Sequence, residues 1–405
     1  MSTAVWTNRL ELNSVADTAL RVAVRFWFGV ALLGQLVFAF AVASFYGLTA
    51  ARGDWQGWTK FMPHGYMPGH AMGNGVAAIH VFSAAFIILA GTLQLIPQIR
   101  NRFPVFHRWL GRIYVVTAFT LSGAGLYLLW FRGTVGDIWQ HLGSTLNAVL
   151  IMVCAAMALR YAMARDFRTH RRWALRLYLV VSASLFIRAG IFLSGLLNHG
   201  PWGFNPITFT GPFLTFISFA QYLVPLGVLE LYLRAQERPG AARRMGVAVL
   251  LFVLTIAMGA GIFGVAAAAW IPQVKAAYDS RKSVAQILSS TVASGGIDEA
   301  IKQYHALKAS PSGAYNFDED ELNSLGYQLI RDHKFKDAIR IFQLNVEAYP
   351  RSGNVYDSLA EGYMDDGDKA LAIANYEKSL EVNPKNRNGV LMLEKLGVGE
   401  ARRGR

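Results

Sequence analysis

The 405-residue sequence contains a single cysteine, Cys154, so a scaffold stapled by disulfides is excluded. Charge is scarce: Asp, Glu, Lys and Arg make up 16% of residues while hydrophobic residues make up 53%. A chain this apolar has enough side chain to bury, which excludes disorder. Acidic residues are scarcer still, 26 against 39 Lys+Arg, for a formal net charge of +13. Residues 1–274 hold only 7 Asp+Glu against 21 Lys+Arg, and Lys60 is their one lysine. Residues 275–405 hold 19 against 18. The positive charge therefore belongs to one half, and where it lies there argues against nucleic acid as its partner.

Seven apolar runs, at 26–50, 76–96, 109–131, 141–164, 173–197, 209–233 and 245–271, are each long enough to cross a bilayer, which takes about 20 residues. The arginines fall in alternate loops. Arg100, Arg102 and Arg108 lie between runs two and three, with Arg112 just inside the helix. Arg160, Arg165, Arg168, Arg171, Arg172 and Arg176 lie between four and five, and Arg234, Arg238, Arg243 and Arg244 between six and seven. The other loops carry only Arg52, Lys60 and Arg132 and are rich in Trp, Pro and Gly. By the positive-inside rule the arginine loops and the N-terminus are cytoplasmic, and an odd number of spans places the C-terminal part outside, in the periplasm where there is one. The first 25 residues, with Arg9, Glu11, Asp17, Arg21 and Arg25, lack the short apolar core of a cleavable signal.

The second half repeats itself. Leu325 and Leu359, Gly326 and Ala360, Leu329 and Tyr363, Ala338 and Ala372, Phe342 and Tyr376, and Pro350 and Pro384 all stand at one constant offset. That offset, with small residues where helices touch and proline closing each pair, resembles the period of tetratricopeptide repeats. A degenerate earlier repeat reads through Ala300, Tyr304 and Pro311; 280–307 supplies a further helical layer and 386–396 a capping helix. The resemblance implies a groove for a protein or peptide, with Leu329, Tyr363, Asn323 and Asn354 as its partner-binding candidates; a packing domain without a ligand is the alternative.

Four histidines stand at span ends: His80 and His141 toward the outer face, His107 and His170 at the arginine-rich face. The motif His107-Arg108-Trp109-Leu110-Gly111-Arg112-Ile113-Tyr114 parallels His170-Arg171-Arg172-Trp173-Ala174-Leu175-Arg176-Leu177-Tyr178, with Trp, Arg and Tyr each displaced by the same offset. Spans two–three and four–five thus read as tandem hairpins. Together with His80 and Arg188, these motifs resemble an uncharacterised bacterial family of membrane proteins catalogued as a domain of unknown function, over roughly residues 70–235. The four histidines on four consecutive helices are also similar to transmembrane b-type cytochromes of the ascorbate-reducible kind. That likeness implies haem b held by His80 with His141 and by His107 with His170, and membrane oxidoreductase chemistry if the protein is an enzyme at all. The other reading of the histidine-arginine-tryptophan clusters is anchorage at lipid headgroups.

Arg188, about fifteen residues into the fifth run, is an intramembrane cation and a functional candidate by position. It suits a haem propionate, an anionic substrate or a lipid headgroup, or, structurally, helix carbonyls or Asn147. Glu230 stands too near the opposite end to be its partner. His64 and His70 in a Gly/Pro-rich loop read first as interfacial loop residues and only second as metal ligands, with His80 as a third. No catalytic residue is identified.

The expected fold is all-α, a polytopic bundle of about seven spans followed by a soluble helical-repeat domain. The expected segments are a cytoplasmic stretch 1–25, a transmembrane domain 26–271, a linker and degenerate repeat 272–318, repeats and cap 319–396 and a basic tail 397–405. The expected setting is the bacterial inner membrane, with the lipid bilayer and a protein bound by the repeats as partners. The leading functional expectation is display of an interaction domain, ahead of haem-based electron transfer and of transport with Arg188 near the substrate.

Overall fold

A computed structural model of the chain describes residues 2–398 apart from 63, 207, 238–239 and 311–312, and without the side chains of 2–12 and 60. Readings that rest on Arg9, Glu11, the Lys60 side chain, Pro63, Arg238, Pro311 and the tail from 399 lie outside the described residues. The chain is all-α; the paired strand pieces among the described residues are Lys282–Ser283 and Tyr315–Asn316. It divides into two compact units, the second beginning in the main chain at Asp279.

The first unit contains α1 (Ser2–Ala51), α2 (Ala71–Leu95), α3 (Pro97–Arg102), α4 (Pro104–Tyr127), α5 (Ile138–Met163), α6 (Phe167–Val181), α7 (Ala183–Asn198), α8 (Pro212–Glu237), α9 (Ala241–Val265) and α10 (Ile271–Tyr278). Six stretches are long and apolar enough to cross a membrane, and α6 with α7 forms a seventh, bent by 47°. The protein is a multi-pass membrane protein. In a bilayer every backbone N–H and C=O must be satisfied within the segment, and the helix does this.

Three boundaries differ from the sequence reading. The first span is part of a longer helix, Asn13–Ala51, of 39 residues. Its start reads as soluble because of Asp17, Arg21 and Arg25. Yet Leu20 and Ala23 pack against Val247, Ala248 and Leu251 of α9, and Asp17 meets Arg244 at 2.6 Å. The seventh stretch continues past 271, because one wide helical turn at Ala266–Trp270 leads directly into α10. The fifth span breaks at Ser182. There the Ser182 hydroxyl accepts a hydrogen bond from Gln35 Nε2 (2.8 Å), and its carbonyl is shared by the N–H groups of Leu185 and Phe186. A polar side chain inserted at a helix junction is a recognised cause of a kink.

Small residues bring α7 and α9 together. A Cβ placed on Gly261 would lie 2.1 Å from the Ala189 carbonyl oxygen, and one on Gly264 would be 3.1 Å from Leu196. Gly261 thus permits backbone to touch side by side, as small residues do between membrane helices.

The second unit holds α11 (Val284–Ala309), α12 (Glu319–Arg331), α13 (Phe335–Ala348), α14 (Gly353–Asp365), α15 (Lys369–Val382) and α16 (Arg387–Lys395). Gly296, with φ of +83°, breaks α11 into two helices, so a pair precedes the two regular pairs. Ala300 and Tyr304, Ala338 and Phe342, and Ala372 and Tyr376 occupy equivalent places, one helical turn apart, on the second helix of each pair, and all six are buried. The pairs also share a hydrogen bond. Asn345 Nδ2 donates to the Glu319 carbonyl (3.1 Å), and Ser379 Oγ, one repeat period later, to the Gly353 carbonyl (2.7 Å).

Gly261→Ala is expected to destabilise the first unit by about 1–3 kcal/mol through overpacking. Thermal unfolding in detergent checks this against Gly259→Ala, whose new methyl would meet only Val30 at 3.6 Å and should leave the midpoint unchanged.

Candidate functional site

The tandem hairpins are built alike. Arg112 lies over the Trp109 ring at 4.8 Å and Arg176 over the Trp173 ring at 4.9 Å, so the Trp-x-x-Arg step makes the same cation–π contact in both. Tyr114 and Tyr178 both point into the core and lie within electrostatic reach of each other. The joints are fastened differently. Gln94 Nε2 donates to the His107 carbonyl (3.0 Å), while His170 Nδ1 faces the Ala158 carbonyl at 2.8 Å. Gln94 and Ala158 are themselves related by the same offset as the paired Trp, Arg and Tyr.

The four histidines separate into different environments. His107 and His170 come within electrostatic reach of each other at the arginine-rich end, and one ring nitrogen of His107, Nδ1, is buried without a hydrogen-bond partner. The structure does not bring His80 and His141 together. Helix α2 packs on α1 and α4, and α5 on α4, α6 and α8, so α4 stands between their helices. His80 Nδ1 faces the Leu121 carbonyl of α4 at 3.3 Å. His141 stacks edge-on against Trp130 and reaches Thr134 Oγ1 at 3.4 Å. The spacing of residues along each helix placed these two at the same level but contained nothing about which helices are neighbours.

Arg188 and His80 do share a site. The guanidinium lies over the Phe38 ring at 4.8 Å, Nη1 donates to the Ser184 carbonyl (2.7 Å), and His80 and Tyr46 are within its electrostatic reach. No hydrogen bond joins it to Asn147, whose Oδ1 is buried without a hydrogen-bond partner. Glu230 instead pairs with Arg176, whose Nε donates to it at 3.1 Å. A desolvated cation–π contact contributes about 2 kcal/mol. That offsets only part of the cost of a guanidinium at membrane depth, about 2.5–3.5 kcal/mol on insertion scales and more in simulations. Sequence reasoning missed Phe38 and Tyr46. The signal lay in Tyr46, a phenol near the end of an otherwise apolar run.

The loop after α1 is latched by hydrogen bonds. Arg132 Nε donates to the His64 carbonyl (2.6 Å) and Nη2 to Asn74 Oδ1 (2.6 Å), while His64 Nδ1 faces the Gly133 carbonyl. Among the described residues no three His, Cys, Asp or Glu side chains gather in a metal-binding group.

Residues 77–207 match a membrane-protein family. Its description is "Predicted membrane protein (DUF2306)", and the matched stretch runs from α2 to just beyond α7. It therefore takes in both hairpins, the four membrane-unit histidines at span ends and Arg188. Comparisons with curated proteins and with solved structures return no match.

In the second unit the partner-binding candidates scatter. Leu329 is 4% exposed and Asn323 8%; the first fills the core and the second accepts from Asn345 Nδ2 at 3.0 Å. Tyr363 is half-buried against Gln343. Asn354 alone of the four is exposed, donating to Glu319 Oε1 (2.8 Å). The periodicity identified which positions are equivalent, and equivalence here means burial. A polar ladder missed from sequence links the first helices of successive pairs instead. Tyr327 of α12 donates to Glu361 of α14 (2.6 Å). Asn388 of α16 then donates to Glu361 (3.0 Å) and to Asp357 (2.8 Å), and Asn386 to Asp357 (2.7 Å).

Burial pushes the Glu361 carboxyl up to about 7, with Asp357's charge adding to the rise and the bonds from Tyr327 and Asn388 opposing it. Asp357 is raised as well, again mainly by burial. A raised carboxyl binds its proton more tightly folded than unfolded, so stability falls as pH rises from about 4.5 to about 7 and is flat above. Hydrogen exchange of α14 and α16 in the intact protein should show protection declining over that window. Glu361→Gln should make the decline shallower; an unchanged slope would assign the proton to another group.

Proposed function

We propose that the chain is a multi-pass protein of the bacterial inner membrane that holds its C-terminal unit, a tetratricopeptide-type repeat, at the outer face to bind a protein or peptide. The observation that supports this most is the recurrence of one set of helix-pair contacts. The Ala-x-x-x-aromatic step recurs three times, and the hydrogen bond from the second helix back to the first recurs one repeat period later. A repeat built this way gains its core by stacking and leaves the first helices side by side as a continuous surface. On this chain that surface runs over α12, α14 and α16, with exposed Asn354 and Asp365 and the Tyr327–Glu361–Asn388 ladder along it.

The test is in-cell crosslinking of the full chain and of a chain ending before residue 280. The reading predicts that the crosslinked partners disappear with the deletion while the membrane unit still inserts. An unchanged partner set would overturn it.

A second reading, bis-histidine haem, draws support from one observation, the approach of His107 and His170 at the arginine-rich end. His170 Nδ1 is held by a backbone carbonyl, the arrangement that aims the other ring nitrogen at an iron. Nearby arginines would meet the propionates. The His80–His141 pair does not fit, since His80 faces α4 and His141 faces Trp130. A reduced-minus-oxidised visible spectrum of the purified protein should then show a haem band that His170→Ala removes and His141→Ala leaves. No band after expression with ample haem would end the reading.

A further inference from the structure

The carboxylates of the first unit whose side chains are described are accounted for away from Arg188. Its seven Asp and Glu are Glu11, Asp17, Asp54, Asp137, Asp166, Glu230 and Glu237. The Glu11 side chain lies outside the described residues. Asp17 pairs with Arg244, Glu230 with Arg176, and Glu237 with Arg168 and Arg172. Asp54, Asp137 and Asp166 accept hydrogen bonds from the backbone N–H groups of Gly57, Gln140 and Thr169 in the helical turns that follow them. Arg188 is thus an intramembrane cation without a protein counter-charge among the described residues.

The Phe38 ring lies against the guanidinium, and Nη1 is turned back onto the Ser184 carbonyl of its own helix. No bond to Nε or Nη2 is seen among the described residues. Guanidinium N–H groups form a planar fork that matches the two oxygens of a carboxylate or phosphate. Tyr46, within electrostatic reach, carries a phenol O–H of the kind that completes such a site; His80, whose Nδ1–H is turned to the Leu121 carbonyl, adds a donor at Nε2 only in its protonated form. The elements that contribute are α1, α2 and α7, so the site is held by three separate helices.

We propose that Arg188, with Tyr46 and His80, forms a binding site inside the membrane unit for an oxyanion, a carboxylate or phosphate group, whose charge replaces the missing counter-ion. The bound group comes either from a bilayer amphiphile or from a free anion, and the chemistry at the guanidinium is the same for both. This site is independent of the repeat unit and of any haem at the other end.

The experiment follows thermal unfolding of the full-length protein in a non-ionic detergent with three probes: oleate, inorganic phosphate and, as neutral control, oleyl alcohol. The wild type should gain several degrees in midpoint with at least one anion and nothing with the alcohol. A gain with oleate alone identifies an amphiphile as the source, and a gain with phosphate a free anion. Arg188→Met should lose at least four-fifths of the gain, and Arg188→Lys, which keeps the charge but not the fork, should retain part of it. Tyr46→Phe keeps the charge and ring and should require several-fold more anion for the same gain, so the proposal remains testable if Arg188→Met fails to fold. No gain with either anion, or equal gains in the wild type and the variants, would overturn it.

Discussion

Inside a bilayer a charge or an unbonded polar group has no water to turn to, and the first unit is organised around that constraint. Four of its threonine hydroxyls bond back to their own helices. Thr49 donates to the Phe45 carbonyl, Thr92 to Ile88, Thr117 to Ile113 and Thr255 to Leu251, each one turn earlier. Three of its carboxylates, Asp17, Glu230 and Glu237, are paired with arginine. The arginines themselves fall mainly into alternate loops, which carry much of the positive charge. Arg188 departs from this sorting.

The same constraint shapes packing. Lipid supplies no hydrophobic drive between helices, so close contact must come from shape. Gly261 against Ala189 and Gly91 against the Tyr114 ring are such contacts. The tandem hairpins then reuse one solution, with a Trp-x-x-Arg step at the entry and a tyrosine in the core. The family match over residues 77–207 coincides with this duplicated part rather than with α1, α9 or the repeat unit.

Much of this was legible in the sequence because its signals are local. Apolar run length marked the spans, and two constant offsets, one in each half, marked the two kinds of recurring helix contact. What was not legible depends on which helices become neighbours. His80 and His141 share a level but are separated by α4. Ser182 reads as one more small residue until Gln35 is seen bonding to it from α1. Leu329 and Asn323 sit at periodic positions, and the period says only that their environment recurs; the structure makes that environment the core. Gly296 shows a middle case, since Gly295-Gly296 is visible as a turn signal but its role in splitting α11 into a helix pair is not.

The threading depends most heavily on α6 and α7 acting as one bent crossing, because that sets the face on which everything after residue 198 lies. The lone buried cysteine makes a direct measurement practical. On a Cys154→Ser background, Arg165→Cys and Trp202→Cys place single thiols before α6 and after α7, at exposed positions. A membrane-impermeant maleimide added to intact cells should label Trp202→Cys at once and Arg165→Cys only after permeabilisation. Equal labelling of the two from one side would show that the bent pair turns back within the membrane, and would contradict the seven-crossing arrangement.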